Sequence, residues 1–268
     1  MTATVKDKHR AMWASGDYPA IAAEVVSPLG PILVKAAGIG PGQSILDVAT
    51  GTGNAAIPAA RAGATVTASD LTPDLLAAGS AMEPGLTWVE ADAENLPFDT
   101  ASYDTVISCI GVMFAPFHTA AAGEILRVCR PGGTIGLLNW TPDGFVGQMF
   151  KTMKPYAAPP PEGAQPPPLW GDPAHLQALL GSGVTGITAE RHDLRVDRFT
   201  DAAEFRDYFK ANYGPTIAVY RNIAGDPERT AALDAALLDL GARFDLGDGV
   251  MNWEYLLWTA SRQPPAES

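Results

Sequence analysis

The sequence predicts an α/β fold organised around a parallel sheet. Short apolar segments alternate with helical segments from residue 44 to residue 140, at the spacing of βαβ units. The chain has 268 residues, 47% of them hydrophobic, so it can bury a sizeable core. Crossovers between such strands are right-handed. The seven predicted strands are 44–49, 64–69, 86–90, 103–110, 134–140, 184–196 and 250–261.

Turn residues and helix signals divide the rest of the chain. Residues 1–40 are predicted to be helical around a turn at 27–31, and a second turn is predicted at 130–133 (RPGG). Thr72 followed by proline is typical of a helix start. Residues 155–168 contain seven prolines in 14 residues and are predicted to run over the surface of the sheet, bordering the acceptor site. The other predicted helices are 54–62, 118–128, 174–180, 202–212 and 228–244, and the last six or so residues are expected to form a disordered tail.

Composition and charge exclude several classes of partner. Lys and Arg number 18 against 30 Asp and Glu, so the net charge is −12 and nucleic acids or anionic membranes are not expected as partners. The two cysteines and four histidines lack metal-ligand spacing, so neither a disulfide framework nor a metal site is expected. The first ten residues are charged, and an apolar run of about 18 residues is missing. These features favour a cytoplasmic protein without a signal peptide.

A glycine-rich turn follows the first predicted strand. The strand ends near Asp47, and Gly51 and Gly53 then lead into an Ala-rich helix. Open α/β sheets bind ligands at the carboxyl ends of their strands, where small residues allow close approach. Two interpretations compete. Residues 51–56 (GTGNAA) fit the G-x-G-x-x-[GA] pattern of dinucleotide-binding folds, which is weak alone. The other interpretation is a fold that binds S-adenosylmethionine (SAM).

Three acidic residues near strand ends favour the second interpretation. Asp70 ends the second strand, 17 residues after Gly53, and Asp92 follows the third strand 22 residues later. A carboxylate at Asp70 can accept hydrogen bonds from both hydroxyls of a ribose, and Asp92 can accept one from an adenine amino group. With Asp47, these acids would surround a ligand that is positively charged and lacks phosphate. A sulfonium that also carries an ammonium group fits this description.

Five stretches between residues 44 and 140 form one pattern: ILDVATGTGNAA, TASDLTPDLLAAG, WVEADAENLPF, YDTVISCIGVMF and EILRVCRPGGTIGLLNW. In this pattern the chain resembles the class I SAM-dependent methyltransferases, and within them the group of the ubiquinone and menaquinone C-methyltransferases and many small-molecule enzymes. Residues 1–40 and 141–268 match only loosely. The resemblance implies a Rossmann-like, mostly parallel seven-stranded sheet of order 3-2-1-4-5-7-6 with strand 7 antiparallel, a helical N-terminal lid and cap insertions.

The resemblance also implies which residues contact the methionine part of the cofactor. Ala49 and Gly51 would offer backbone carbonyls to the ammonium group, and Gly53 would allow close approach. Asp47 would order the turn, and Cys109 would contribute a backbone contact. A reactive thiol at Cys109 is not expected, because apolar surroundings make a cysteine inert.

For the adenosine part, the resemblance implies four further residues. Asp70 would hold the ribose, and Leu71 would pack on the adenine. Asp92 would meet the adenine amino group, and the backbone amide of Ala93 would meet a ring nitrogen. Each acid could instead be an ordinary loop residue.

The acceptor side is predicted from aromatic residues and one histidine. Trp13 and Tyr18 would form a lid that excludes water and contacts the sulfonium, although simple packing would also explain them. His118 follows the fourth strand and is a candidate general base; otherwise it begins the next helix. Aromatic side chains that could contact the acceptor are Phe114, Trp140 and Tyr213, with Phe145, Trp170, Phe205 and Phe209 as further candidates for the pocket wall.

The predicted function is SAM-dependent methyl transfer to a small, largely apolar acceptor by in-line displacement, with S-adenosylhomocysteine as product. Residues 1–268 are predicted to form a single domain, with a helical segment at 1–40, a SAM-binding core at 41–141 and acceptor-side insertions at 142–268. Two alternatives remain open. The protein could bind SAM without catalysis, as a regulator or assembly partner. It could be an NAD-dependent dehydrogenase, which would leave Asp47, Asp92 and the turn at 130–133 without a role. A homodimer is compatible with the sequence.

Overall fold

Seven strands form one sheet in the computed structural model, which describes residues 4–264. Their spatial order is β3-β2-β1-β4-β5-β7-β6, and only β7 runs antiparallel to its neighbours. This confirms the predicted fold class and strand order. Most of the tail expected at the C-terminus lies outside the described residues. The strands are β1 Ser44–Val48, β2 Thr65–Asp70, β3 Thr87–Glu90, β4 Tyr103–Cys109, β5 Cys129–Trp140, β6 Val184–Val196 and β7 Met251–Arg262.

The centre of the sheet is covered on both faces. Ile45, Leu46 and Val48 of β1 have no exposed surface, which is the pattern of a parallel strand between two helical layers. A π-helical turn, Ala22–Val26, joins the second and third helices. The helices are α1 Val5–Trp13, α2 Tyr18–Ile21, α3 Leu29–Ala36, α4 Ala56–Arg61, α5 Pro73–Met82, α6 His118–Val128, α7 Phe145–Met153, α8 Pro173–Leu180, α9 Ala202–Asn212, α10 Gly214–Asn222 and α11 Pro227–Phe244.

Two helices, α7 and α10, are not predicted by the sequence pattern. Gly147 lowers the helix propensity of α7, but tertiary packing compensates because Phe145 and Met149 are buried. The Gly214-Pro215 pair of α10 resembles a chain break, yet proline is compatible with the first turn of a helix.

The two predicted turns are also different in the structure. Residues 130–133 form a bulge inside β5, because the pairing with β4 shifts from Tyr103–Cys129 to Thr105–Thr134. The turn predicted at 27–31 is shorter, since α3 already begins at Leu29.

Parallel register aligns the strand ends that carry the acidic residues. Val48 of β1 lies beside Ser69 of β2, and Asp70 lies beside Glu90 of β3. The segments that follow these strands therefore meet at one edge of the sheet, the position at which this class of fold binds ligands.

Within residues 4–264, no helix taken singly has both the length and the apolar character needed to cross a membrane. The stretches Tyr18–Val26 and Leu29–Ala36 satisfy that criterion only as a pair, and they are bent by 67° relative to one another.

Candidate active site

A cavity of about 620 Å³, including its open mouth, lies at the carboxyl ends of β1, β2 and β3. We call it the strand-end cavity. Helix α1 and the start of α2 form its outer wall, and the segments after the strands form its floor. Its walls are Lys6, His9, Trp13, Tyr18, Ala49, Gly51, Asp70, Leu71, Thr72, Leu75, Ala91, Asp92, Ala93, Gly111, Phe114 and Ala115.

The turn after β1 is shaped by two residues with left-handed backbone conformation. Ala49 has φ +55° and Gly51 has φ +57°, a region that glycine adopts readily and alanine rarely. The Gly51 backbone N–H donates to Asp70 Oδ2 at 2.8 Å, and the Thr72 N–H donates to Asp70 Oδ1 at 2.8 Å. The Asp70 carboxylate thus joins the ends of β1 and β2, and each oxygen keeps a lone pair for a ligand.

Two carboxylates are buried at this turn without a cation beside them. Asp47 is 1% exposed, and its Oδ2 accepts from the Thr50 hydroxyl at 2.6 Å. Within residues 4–264 its Oδ1 makes no hydrogen bond of regular geometry, although the backbone N–H of Ala56 is near enough to the carboxyl to lower its pKa in part. Burial raises the pKa of Asp47 to about 7 and also raises the pKa of Asp70. Burying a charge without a partner is costly, and a positively charged ligand in the cavity would relieve that cost.

Helix α1 is held across the cavity, at the ends of β2 and β3, by charged side chains. Lys6 Nζ lies 2.8 Å from Asp92 Oδ1 and also binds Glu94. Arg10 Nε donates to the Leu71 carbonyl at 3.1 Å, and its guanidinium pairs with Glu90 at 3.0 Å. The same helix therefore contacts the segments after both β2 and β3.

Replacing Lys6 by methionine should loosen this lid without unfolding the sheet. The ion pairs of Lys6 are partly exposed, so the loss in stability should stay near 1 kcal/mol. Backbone amides of α1 should exchange hydrogen several-fold faster, measured by mass spectrometry. Lys8→Met is the matched control, because Lys8 is exposed and makes no ion pair among residues 4–264. Equal exchange in both variants would show that Lys6 does not hold the lid.

A second cavity, which we call the aromatic cavity, adjoins the first. It shares Trp13, Tyr18 and Phe114 with the strand-end cavity and encloses about 360 Å³. Its walls carry no charged side chain. The remaining wall residues are Ile21, Val26, Ile110, Trp140, Val146, Met149, Phe209, Tyr213 and Trp253.

Comparison with known proteins gives a match to one domain family and to individual relatives. Residues 46–137 match the family model of a methyltransferase domain. An uncharacterized protein of Mycobacterium bovis is 53% identical over 264 residues, which cover 97% of this chain and 96% of that protein. A demethylmenaquinone methyltransferase of Renibacterium salmoninarum is 38% identical over 104 residues, or 39% of this chain and 44% of that one.

The fold agrees with that of a solved methyltransferase. Phosphoethanolamine N-methyltransferase 2 of Haemonchus contortus, in complex with phosphomonomethylethanolamine and S-adenosylhomocysteine, is 17% identical and aligns with a TM-score of 0.60. The alignment covers 98% of this chain and 61% of that one. The fold is that of the class I SAM-dependent methyltransferases, and residues 46–137 are similar to a methyltransferase domain.

In the structure, most of the residues predicted to bind the cofactor lie together at the strand-end cavity. Three of them do not line the strand-end cavity. Asp47 is buried at the glycine turn, Gly53 packs against Trp88, and the Cys109 sulfur lies 3.7 Å from Asn54 Nδ2. Burial raises the pKa of the Cys109 thiol, which agrees with an inert cysteine. Those that do line it are Trp13, Tyr18, Ala49, Gly51, Asp70, Leu71, Asp92 and Ala93.

The aromatic residues predicted for the acceptor separate into two groups. Phe114, Trp140 and Tyr213 line the aromatic cavity, and so does Phe209. The others belong to the packed interior: Phe145 stacks on Trp253 with ring centroids 4.9 Å apart, Phe205 contacts Phe145, and Trp170 packs on His118.

Some wall residues are missed by sequence reasoning. Lys6 and His9 lie at helical spacing from the predicted Trp13 and share its face of α1, a signal that was present in the sequence. Gly111 gave no such signal. A Cβ at this position would lie 1.9 Å from the Ala49 carbonyl oxygen, so close packing of the two turns requires glycine.

His118 lines neither cavity, so the structure does not support it as a general base. The residue is fully buried at the start of α6, and its Nδ1 lies 2.9 Å from His175 Nε2. The Trp170 ring lies 5.4 Å away. Burial, and secondarily the neighbouring His175, lowers the pKa of His118 to about 4. The imidazole is therefore a neutral packing group at physiological pH.

We expect His118 to make folding sensitive to acid. Below its ordinary pKa of 6.5 the unfolded chain binds a proton that the folded chain excludes, so stability is present above pH 6.5 and is lost towards pH 4. The loss is on the order of 3 kcal/mol. The raised pKa values of Asp47 and Asp70 favour the folded protein as the pH falls, which opposes the effect of His118. The test therefore compares the wild-type protein with a His118 variant. The destabilisation caused by His118→Gln should shrink between pH 7 and pH 4.5 in urea titrations, and an unchanged difference would contradict this expectation.

The proline-rich segment is placed differently from the prediction. Residues 155–168 contribute no wall to either cavity. The Gln165 N–H donates to the Pro116 carbonyl at 2.9 Å, and Pro155 and Tyr156 carbonyls accept bonds from Arg229 and Asn222. The segment therefore connects α7 to the surroundings of α6, and no effect on the acceptor is expected from it.

Proposed function

We propose that the protein transfers a methyl group from SAM to a small, largely apolar acceptor and releases S-adenosylhomocysteine. The observation that carries this proposal is the pair of adjoining cavities that share Trp13, Tyr18 and Phe114. One cavity is lined by the buried carboxylate of Asp70 and by Asp92, which suits a cationic donor, and the other has apolar walls. Alignment of two bound molecules is the main requirement for an in-line displacement.

The residues of the strand-end cavity fit SAM better than a dinucleotide. Two carboxylates, Asp47 and Asp70, are buried at the glycine turn, so a pyrophosphate bound there would be repelled. SAM supplies an electrophilic methyl on a sulfonium when bound. Asp70 would accept from the ribose hydroxyls, the Ala49 and Gly51 carbonyls from the ammonium, and Asp92 from the adenine amino group. Because Lys6 already binds Asp92 Oδ1, that acid would use a remaining lone pair.

The name of the related enzyme does not identify the acceptor of this chain. The match to the demethylmenaquinone methyltransferase covers 39% of this chain, whereas α7, α9 and β7 supply much of the aromatic cavity. Its acceptor is therefore one member of the test panel rather than the assigned substrate.

Turnover with methyl-labelled SAM tests the proposal. Label should pass to at least one apolar acceptor from a panel of phenols, quinols, thiols and aromatic amines, with S-adenosylhomocysteine formed in equal amount. Tight binding of S-adenosylhomocysteine without transfer to any member would favour a non-catalytic SAM-binding protein. Reduction of NAD with an alcohol panel would favour the dehydrogenase instead.

A further inference from the structure

The aromatic cavity contains two phenol hydroxyls that no described protein group engages. Tyr18 and Tyr213 both line it, and neither hydroxyl has a hydrogen-bond partner within residues 4–264. By contrast, the hydroxyl of Tyr220 donates a hydrogen bond to Asp234. The hydroxyls of Tyr18 and Tyr213 are not among the fully buried polar atoms without a partner, so both can donate to a ligand that enters the cavity.

The two hydroxyls belong to one cluster beside the first cavity. The Trp13 ring lies 5.5 Å from the Tyr18 ring and 5.9 Å from the Tyr213 ring, centroid to centroid. Tyr18 also approaches the backbone of Gly51, where a Cβ would lie 3.2 Å from its ring. Burial raises the pKa of both tyrosines, helped by Cys109, Asp70 and Asp47 near Tyr18 and by Tyr18 near Tyr213, so both remain neutral hydrogen-bond donors. The pair therefore lies where the two cavities meet.

The walls provide donors and no base. The aromatic cavity has no carboxylate, imidazole or amine in its lining. No group in this lining would take the proton of an alcohol of high pKa. An oxygen that is already negative would find two O–H donors in apolar surroundings, where hydrogen bonds to charge are strong.

We propose that the acceptor is an acidic phenol or enol, bound as its oxygen anion by the hydroxyls of Tyr18 and Tyr213. This inference rests on the proposed function. The acceptor loses its proton to water before it enters the cavity. A lone pair of the acceptor oxygen then forms a bond to the methyl carbon, the carbon–sulfur bond breaks, and its electron pair stays on sulfur. Opposite charges disappear together, so exclusion of water favours the transfer.

Binding of 4-nitrophenol tests the proposal without turnover, because its anion absorbs visible light and its neutral form does not. The protein is first loaded with sinefungin, an unreactive analogue with an amine in place of the sulfonium. The bound probe should remain an anion below its pKa in water. Tyr213→Phe and Tyr18→Phe should each weaken anion binding about tenfold or more. Tyr156→Phe, outside both cavities, should leave it unchanged.

The outcomes separate this inference from the proposed function. Failure of sinefungin to bind would contradict the proposed function itself. Binding of sinefungin with 4-nitrophenol held only in its neutral form, or not held at millimolar concentration, would overturn the phenolate inference alone. With SAM, phenols of similar size should react in order of acidity and anilines should not. A preference for anilines would likewise overturn it. Unchanged melting temperatures would confirm that the phenylalanine variants fold.

Discussion

Replacing Asp70 by alanine should weaken S-adenosylhomocysteine binding by about 10- to 150-fold or more. A lost hydrogen bond to a charged group costs roughly 1.5–3 kcal/mol, and this carboxylate would accept from two ribose hydroxyls. The same change leaves the Gly51 and Thr72 N–H groups without their acceptor, so the turn that would bind the methionine end loses its support as well. Isothermal titration calorimetry measures the effect directly.

Two further variants should be compared with Asp70→Ala. Asp70→Asn keeps the shape but turns an N–H₂ towards a backbone N–H, so it should also weaken binding. Asp74→Ala removes an exposed carboxylate four residues away, in the first turn of α5, and should leave affinity within about twofold. Equal affinities in Asp70→Ala and the wild type would show that the ribose does not bind at Asp70.

Gly111→Ala should impair binding at the methionine end of the same cavity. The new Cβ would lie 1.9 Å from the Ala49 carbonyl oxygen, and Ala49 already has an unfavourable positive φ. The turn must therefore move, and misplacement by about 1 Å can cost on the order of 100-fold in rate. Overpacking should also lower the free energy of unfolding by about 1–3 kcal/mol.

Gly123→Ala is the matched control for that variant. Gly123 lies in α6, and its added Cβ would meet open space. Alanine there should stabilise the protein by up to about 1 kcal/mol and leave cofactor affinity unchanged. Full S-adenosylhomocysteine affinity in Gly111→Ala would show that the Ala49 carbonyl can move without consequence.

Most lining residues of the strand-end cavity that follow β1, β2 and β3 could be predicted from the sequence. Asp70 and Asp92 stand at strand ends, and parallel register brings strand ends together whatever the details of packing. Lys6 was missed because its partners Asp92 and Glu94 are more than 80 residues away in the chain, and helical spacing alone does not name them. Gly111 was missed because its requirement is a contact with one carbonyl oxygen.

The acceptor half was less predictable, because every residue in it is aromatic or aliphatic. Phe145 and Phe209 look alike in the sequence, yet the first stacks on Trp253 in the interior and the second lines the cavity. For His118, too, the sequence did not reveal what surrounds the side chain. Its place after β4 suggested chemistry, but a neighbouring histidine and an indole ring, contributed by α8 and the segment before it, enclose it.

Calorimetric titration of the wild-type protein with S-adenosylhomocysteine, and separately with NAD, tests the central claim most directly. The account predicts micromolar or tighter binding of S-adenosylhomocysteine and no binding of NAD. Since the Asp47 pKa is raised to about 7 by burial, a bound ammonium should expel a proton near neutral pH. Titrations in two buffers of different ionisation enthalpy should therefore show proton release. Binding of NAD without S-adenosylhomocysteine binding would contradict the account.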